Sequence, residues 1–251
     1  MANLLRLAMW SGPRNISTAM MRAWENRPDT VVVDEPLYAF YLKTTGKPHP
    51  MAEEVIEDGE MDWRKVTNEL AGGVPPSGHH KSPSHIRVFY QKQMTHHLLP
   101  EIERDWIVGL TNCFLIRDPA EVMASYLKKN EDPSAEDLGF PQQAEIFEFV
   151  RSATGTIPPV IDARDVLRNP EHILRLLCEA LGVDFDPAML SWPPGLRESD
   201  GVWAKHWYGE VATSTGFASY RAQRVEVPQH LREVEGRCRE SYNLLKPYCL
   251  R

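Results

Sequence analysis

Short apolar runs of strand length recur along this chain, and several of them lead directly into helical spacing of apolar residues. The five runs are residues 4–10, 30–33, 86–91, 112–116 and 159–163. Strands that alternate with helices require right-handed crossover connections, and these connections place the strands side by side in parallel. The sequence therefore predicts an α/β fold of three layers, in which helices flank a mostly parallel sheet of about five strands.

Two long segments do not fit this alternation. Residues 44–85 contain one helical pattern around Trp63, Val66 and Leu70, followed by a polar loop, and residues 190–217 are rich in Trp, Gly and Ser. Long segments of this kind inside a compact domain are commonly functional. We therefore expect a single domain over residues 1–251, in which these two segments form a cap or lid.

Charge and composition disfavour several classes of protein. The formal net charge is -7, and nucleic-acid binding needs a basic surface that displaces counterions from phosphates. No apolar run has membrane-spanning length, and the first residues pass into the strand pattern without a cleavage site. The four cysteines are scattered, with no pair at metal-ligand or redox spacing. We expect a cytoplasmic protein with reduced cysteines and with no nucleic-acid or membrane partner.

The turn between the first strand and the following helix has the composition of a phosphate cradle. Its residues are Gly12, Pro13, Arg14, Asn15, Ile16, Ser17 and Thr18. Backbone N–H groups at a helix N-terminus, two hydroxyls and a cation can together bind phosphate oxygens. The turn lacks the Gly-Lys-Ser/Thr ending of a Walker A loop, so the lysine that contacts the phosphates of a nucleoside triphosphate is missing. An ordinary strand-to-helix turn, with Ser17 and Thr18 as early helix residues, is the alternative interpretation.

Arg117 and Ser125 form a second candidate anion site. Arg117 follows the fourth strand, and Ser125 comes eight positions later, about two helical turns into the next helix. Asp118 can cap this helix, and Pro119 can occupy its first turn. An arginine and a serine that face one point above the sheet can hold a second phosphate, well separated from the first.

Together, the two elements resemble the PAPS-dependent sulfotransferases, a family with the fold of the P-loop nucleoside triphosphate hydrolases. The family's Pro-Lys-Ser-Gly-Thr-Thr loop, which binds the 5′-phosphosulfate, is similar to residues 13–18. Its Arg-x-Pro element with a later serine, which binds the 3′-phosphate, is similar to residues 117–119 and Ser125. Residues 165–182 resemble the element after the family's fifth strand. The resemblance implies 3′-phosphoadenylyl sulfate (PAPS) as the donor, no metal, and a hydroxyl or amine of a small-molecule acceptor.

The chain departs from the family pattern at three places. Arg14 replaces lysine, which keeps the positive charge but presents a planar fork of donors. Ile16 stands where glycine lets the backbone approach the phosphate. The glycine-and-arginine element that covers the nucleotide in many members has no clear counterpart, and we assign Trp203, Lys205 and Trp207 to that position.

The resemblance also implies catalytic roles. Arg14 is expected to stabilise negative charge on the leaving 5′-phosphate. Glu35, after the second strand, resembles the carboxylate base of several members, and Lys92, after the third strand, is expected to be a second cation near the transferred group. Many members use a histidine after the third strand as the base, so His96 and His97 are the alternatives to Glu35.

Two other functions stay open from the sequence. A small-molecule kinase using ATP would need a Walker lysine, which is missing, and a carboxylate that binds magnesium. A noncatalytic adenine-nucleotide-binding protein is favoured by Ile16 in the loop. His79, His80 and His85 have no partner carboxylate or cysteine at metal-ligand spacing, so we interpret them as residues of a polar loop.

Overall fold

The computed structural model of the protein describes residues 4–75, 85–128, 132–222 and 225–251. Its strands are β1 (Leu5–Ser11), β2 (Thr30–Asp34), β3 (Val88–Met94), β4 (Thr111–Ile116) and β5 (Val160–Asp162). They form one sheet in the order β2-β3-β1-β4-β5, and every neighbouring pair is parallel. All five predicted strands are confirmed, with small shifts at their ends.

Helices cover both faces of this sheet. They are α1 (Ser17–Glu25), α2 (Tyr38–Thr45), α3 (Ala52–Asp58), α4 (Trp63–Gly72), α5 (Asp105–Val108), α6 (Pro119–Tyr126), α7 (Phe140–Thr154), α8 (Ala163–Arg168), α9 (Pro170–Leu181), α10 (Ala204–Trp207), α11 (Gly209–Ala212) and α12 (Arg232–Leu245). None of the helices within the described ranges combines the length and the apolar character that crossing a membrane requires.

The central strand β1 shows why the fold has three layers. Successive side chains of a strand point to opposite faces, and the residues of β1 divide accordingly between two apolar clusters. Ala8 and Trp10 pack with residues of α7 and α12, whereas Leu7 and Met9 pack with residues of α1 and α9. All four side chains are fully buried. The α/β prediction, with helices on both faces of the sheet, is therefore confirmed.

Capping residues fix the ends of α6 and α9, and those of α6 are the predicted ones. Asp118 accepts a backbone N–H of the first turn of α6 at 3.0 Å, and Pro119 occupies the first helical position, where an N–H is not needed. Asn169 caps α9 in the same way at 3.2 Å. Gly182 ends α9 in the left-handed conformation, which a residue without Cβ adopts easily.

A third apolar cluster joins the two long segments that fall outside the alternation. Val55, from the first segment, packs in the same cluster as Trp203 and Tyr208 from the second. A buried ion pair between Arg22 and Asp200, with 2.6 Å between Nη2 and Oδ2, ties the second segment to α1. The two segments are therefore packed against each other and anchored to the helical layer.

The strand order creates a crevice at the carboxyl end of β1. The chain first passes from β1 to the β2 and β3 side of the sheet and later crosses to β4 on the other side of β1. Ligands of open α/β sheets bind at such a switch point. The predicted phosphate cradle follows β1 directly and therefore lies at this crevice.

Candidate active site

One cavity of about 330 Å³ lies at the carboxyl edge of the sheet. The predicted site residues that line it are Pro13, Arg14, Asn15, Ile16, Ser17, Thr18, Glu35, Lys92, Arg117 and Ser125. Gly12, a predicted binding residue, is not among the lining residues. A Cβ atom at position 12 would lie 2.5 Å from the carbonyl oxygen of Leu138, so glycine is required there for close packing. The structure thus gives Gly12 a packing role, and its predicted binding role stays a prediction.

The loop after β1 has a conformation that suits an anion. Arg14 and Ile16 both adopt left-handed backbone angles, with φ of 59° and 48°. This region is unfavourable for a β-branched residue, so the loop holds Ile16 in a strained conformation that glycine adopts easily. Within the described residues, the N-terminus of α1 has no side-chain cap and no acidic residue in its first turn. Its first N–H groups have no partner inside the helix, and the positive end of the helix dipole favours an anion.

Asn15 anchors the same loop to the neighbouring strand. Its Nδ2 donates to the carbonyl oxygen of Leu115 in β4 at 2.6 Å. Its Oδ1 is buried and has no hydrogen-bond partner within the described ranges. A buried polar atom without a partner is costly, so Asn15 offers a polar contact to a bound molecule.

Arg14 connects the two predicted phosphate positions. Its Nε donates to Oγ of Ser125 at 3.0 Å, and its carbonyl oxygen accepts from Nη1 of Arg117 at 2.8 Å. Arg117 also pairs with Glu121, with 3.1 Å between Nε and Oε2. The Arg14 side chain therefore reaches the serine of the second predicted position, and both arginines line the same cavity. The separation of the two bound phosphates stays a prediction.

Lys92 lies at the centre of a buried polar network. Its Nζ lies 2.7 Å from Oε1 of Glu35, 2.9 Å from Oδ1 of Asp34 and 2.5 Å from the hydroxyl of Tyr208. The Tyr208 hydroxyl in turn donates to Oδ2 of Asp34 at 2.6 Å. Burial opposes the charge on Lys92, but attraction by Asp34 and Glu35 prevails and holds its pKa well above the ordinary value. All three ammonium protons are therefore engaged.

Glu35 has an unusual environment for a carboxylate. Its side chain is 12 % exposed, and its backbone is left-handed, with φ of 44°. Burial raises the pKa of Glu35 above its ordinary value, although attraction by Lys92 opposes the shift. Perturbed carboxylates and strained backbone angles are both common at functional sites. Glu35 is consequently a stronger base than a carboxylate in water.

The two candidate histidines occupy different positions. Both lie in a 3₁₀ turn after β3, over Thr95–His97, but only His97 lines the cavity. Nδ1 of His97 lies 4.0 Å from Oε2 of Glu35. Burial lowers the pKa of His96 to about 3 and holds that of His97 well below its ordinary value. Both rings are therefore neutral at neutral pH.

Aromatic side chains from the second long segment complete the cavity. Trp203 and Trp207 line it, whereas Lys205 is exposed and does not. Tyr38 and Tyr208 line it as well, and sequence reasoning did not select them. In the sequence, the Trp-rich composition around Tyr208 indicates a cap or lid segment, but no local pattern distinguishes this tyrosine from its neighbours.

The structure describes only one of the three histidines of the predicted polar loop. His79 and His80 lie outside the described residues, and His85 is exposed. No group of three or more His, Cys, Asp or Glu side chains in the described part of the chain is arranged to hold a metal ion.

Solved structures with a fold similar to this one include two sulfotransferase domains. The sulfotransferase domain from the curacin biosynthetic pathway has a TM-score of 0.54 and 14 % identity, over 97 % of this chain and 99 % of that domain. The sulfotransferase domain of the Synechococcus PCC 7002 olefin synthase has a TM-score of 0.53 and 15 % identity, over 96 % and 94 % of the two chains. At these identities the comparison shows a shared fold.

Sequence comparison gives two longer relatives and a family. The branched-chain-amino-acid aminotransferase-like proteins 1 and 2 of Arabidopsis thaliana are 35 % and 33 % identical, over 95 % and 94 % of this chain. The chain spans 41 % and 40 % of their lengths, so their names describe much longer proteins. The model of the sulfotransferase domain family matches residues 5–233. The chain therefore belongs to the sulfotransferase domain family.

Proposed function

We propose that this chain transfers a sulfuryl group from 3′-phosphoadenylyl sulfate to a hydroxyl or amine of a small-molecule acceptor. The observation that carries the proposal is that one cavity contains a cationic loop at a helix N-terminus and a buried carboxylate of raised pKa. The first can neutralise a leaving phosphate, and the second can accept a proton. A transferase of this kind requires both groups in one place.

The residues of the cavity fit the donor. Ser17 and Thr18 supply hydroxyls and N–H groups for the 5′-phosphate, beside the guanidinium of Arg14. Arg117 and Ser125 supply a cation and a hydroxyl for the 3′-phosphate. When bound, the donor supplies a sulfuryl group on a phosphate leaving group.

The chain's own residues then carry the proton and the developing charge. Glu35 accepts the proton of the acceptor hydroxyl while the oxygen of that hydroxyl bonds to sulfur. Arg14 and the N-terminal N–H groups of α1 stabilise the phosphate oxygen that takes the electron pair of the breaking S–O bond. The products are a sulfate ester and 3′-phosphoadenosine 5′-phosphate, and Glu35 returns its proton to solvent.

Glu35 is preferred to the histidines as the base for an energetic reason. A group with a strongly lowered pKa holds a proton weakly, and burial lowers the pKa of His96 and of His97. Burial acts in the opposite direction on Glu35 and makes it more basic. The three ammonium protons of Lys92 are engaged by its three hydrogen-bond partners, so none is available to the transferred group. We therefore assign Lys92 to orienting Glu35.

Calorimetry followed by a transfer assay tests the proposal. We expect tight binding of 3′-phosphoadenosine 5′-phosphate and weak binding of ADP and ATP. Transfer of radiolabelled sulfate from the donor to a panel of small alcohols and amines then distinguishes an enzyme from a noncatalytic binder. Tight binding of ATP with weak binding of the bisphosphate would instead favour the kinase.

A further inference from the structure

The part of the cavity around Glu35 is lined by aromatic rings. The ring of Tyr38 stacks on the ring of His97, with centroids 4.6 Å apart and planes 6° apart. Trp203 packs edge-on against the same tyrosine at 5.1 Å. The Tyr38 hydroxyl lies 3.0 Å from Nδ1 of His49, so its polar end already has a partner. Tyr38, His49, His97 and Trp203 all line the cavity, and we call them the aromatic wall.

The aromatic wall carries no positive charge to attract an anion. Burial lowers the pKa of His49 and of His97, so both imidazoles are neutral at neutral pH. The ammonium of Lys92 is shared between the carboxylates of Asp34 and Glu35, which together outweigh it. An acceptor that carried its own carboxylate or phosphate beside this wall would face the negative charge of Glu35 in a buried setting.

Two polar atoms at the edge of the wall lie close together. Oε1 of Glu35 accepts from Lys92, whereas Oε2 lies 4.0 Å from Nδ1 of His97. Within the described residues, this buried Nδ1 has no hydrogen-bond partner. Two atoms that are 4.0 Å apart can each form a hydrogen bond of about 2.8 Å with one shared oxygen atom. A hydroxyl there would donate to Oε2 and accept from Nδ1–H, so both buried groups would be satisfied.

We propose that the acceptor is an uncharged alcohol whose hydroxyl oxygen is held between Oε2 of Glu35 and Nδ1 of His97, with its apolar body on the aromatic wall. The inference rests on the proposed function and specifies the acceptor of the same site. His97 is the second binding residue for the reacting oxygen, and Glu35 takes the proton of that oxygen as the new S–O bond forms.

A pair of alcohols that differ in charge but not in shape tests the class of acceptor. The probes are 4-(hydroxymethyl)benzamide and 4-(hydroxymethyl)benzoate, and the measurement is kcat/KM for radiolabelled sulfate transfer. We expect the neutral amide to be the better acceptor by about 10-fold or more, because the aromatic wall offers the carboxylate no cation and Glu35 repels it. Equal rates, a preference for the carboxylate, or turnover of neither alcohol would overturn this proposal.

Calorimetry on the same protein separates this failure from failure of the proposed function. If the protein binds 3′-phosphoadenosine 5′-phosphate without discriminating between the two alcohols, that result supports the donor site and contradicts only the proposed class of acceptor. A protein that does not bind the bisphosphate at all contradicts the proposed function itself.

Substitutions at His97 test its contact with the acceptor. His97→Asn keeps a donor near the position of Nδ1, whereas His97→Phe keeps a stacking ring and removes the donor. We expect His97→Phe to raise KM for the amide probe by about 10-fold, with unchanged bisphosphate binding, and His97→Asn to restore most of that loss. An unchanged KM in His97→Phe, or equal losses in both variants, would overturn the assignment.

Discussion

Glu35→Gln separates proton transfer from binding at the proposed active site. Oε1 of Glu35 lies 2.7 Å from Nζ of Lys92, and the amide oxygen of glutamine can accept the same bond, so the side chain keeps its place. An amide cannot take a proton from the acceptor, however. General-base catalysis contributes about 10²- to 10⁴-fold, so we expect kcat to fall by that factor. The corresponding rise in the barrier is about 3–5 kcal/mol.

The fold should tolerate this substitution. Burial raises the pKa of Glu35, so the folded protein holds this proton more tightly than the unfolded chain does. The contribution of Glu35 to stability is therefore present at low pH and is lost as the pH rises through its folded pKa. Glutamine cannot ionise, and Asp34 still balances Lys92. We expect the variant to unfold at the same denaturant concentration as wild type, or at a higher one, at neutral pH.

The assay measures sulfate transfer at saturating donor and acceptor across the acidic and neutral range, together with calorimetric binding of the bisphosphate. The wild-type rate should rise with pH through the pKa of Glu35, and the variant should lack this rise. Glu148→Gln, at an exposed carboxylate of α7 that pairs with Arg151, is the control and should leave the rate unchanged. A Glu35→Gln protein whose kcat stays within about threefold of wild type would refute the reasoning and move the role to His97.

Four further substitutions test neighbouring parts of the account. Arg14→Ala should lower kcat by about 10²-fold or more, since it removes charge stabilisation from the leaving phosphate; near-normal turnover would discard that role. Arg117→Ala should weaken bisphosphate binding by about 10-fold or more in calorimetry, and unchanged affinity would count against it. Tyr208→Phe leaves a buried proton of Lys92 without a partner, so chemical denaturation should show a loss of about 1–3 kcal/mol, and no loss would contradict the network. The buried imidazole of His96 resists protonation, so it costs stability as the pH falls below its ordinary pKa of about 6.5. His96→Asn should therefore flatten the decline of stability between neutral and mildly acidic pH, and an identical slope would argue against this cause.

The fold was predictable because its signals are local. The predicted start of α6 depends on residues next to the helix end, namely Asp118 and Pro119, and each one acts as expected. Short apolar runs of strand length located all five strands. The order of the strands depends on contacts between distant parts of the chain, and the apolar pattern carries no information on it.

The site was predictable where the sheet itself brings residues together. Asp34 and Lys92 are register partners on the neighbouring strands β2 and β3, so residues that follow these strands meet at one edge. The contact between Arg14 and Ser125 depends instead on how a long side chain crosses the crevice, and sequence spacing does not specify that path. Tyr208 enters the network from a distant segment, through tertiary packing alone.

The central claim is that the cavity binds two phosphate groups of one adenosine, through Arg14 with the first turn of α1 and through Arg117 with Ser125. The most direct measurement is a calorimetric comparison of 3′-phosphoadenosine 5′-phosphate with adenosine 5′-phosphate, which lacks only the 3′ group. A charge-assisted hydrogen bond contributes about 1.5–3 kcal/mol, so the account predicts that the bisphosphate binds about 10- to 100-fold more tightly. Equal affinity for the two nucleotides would contradict it.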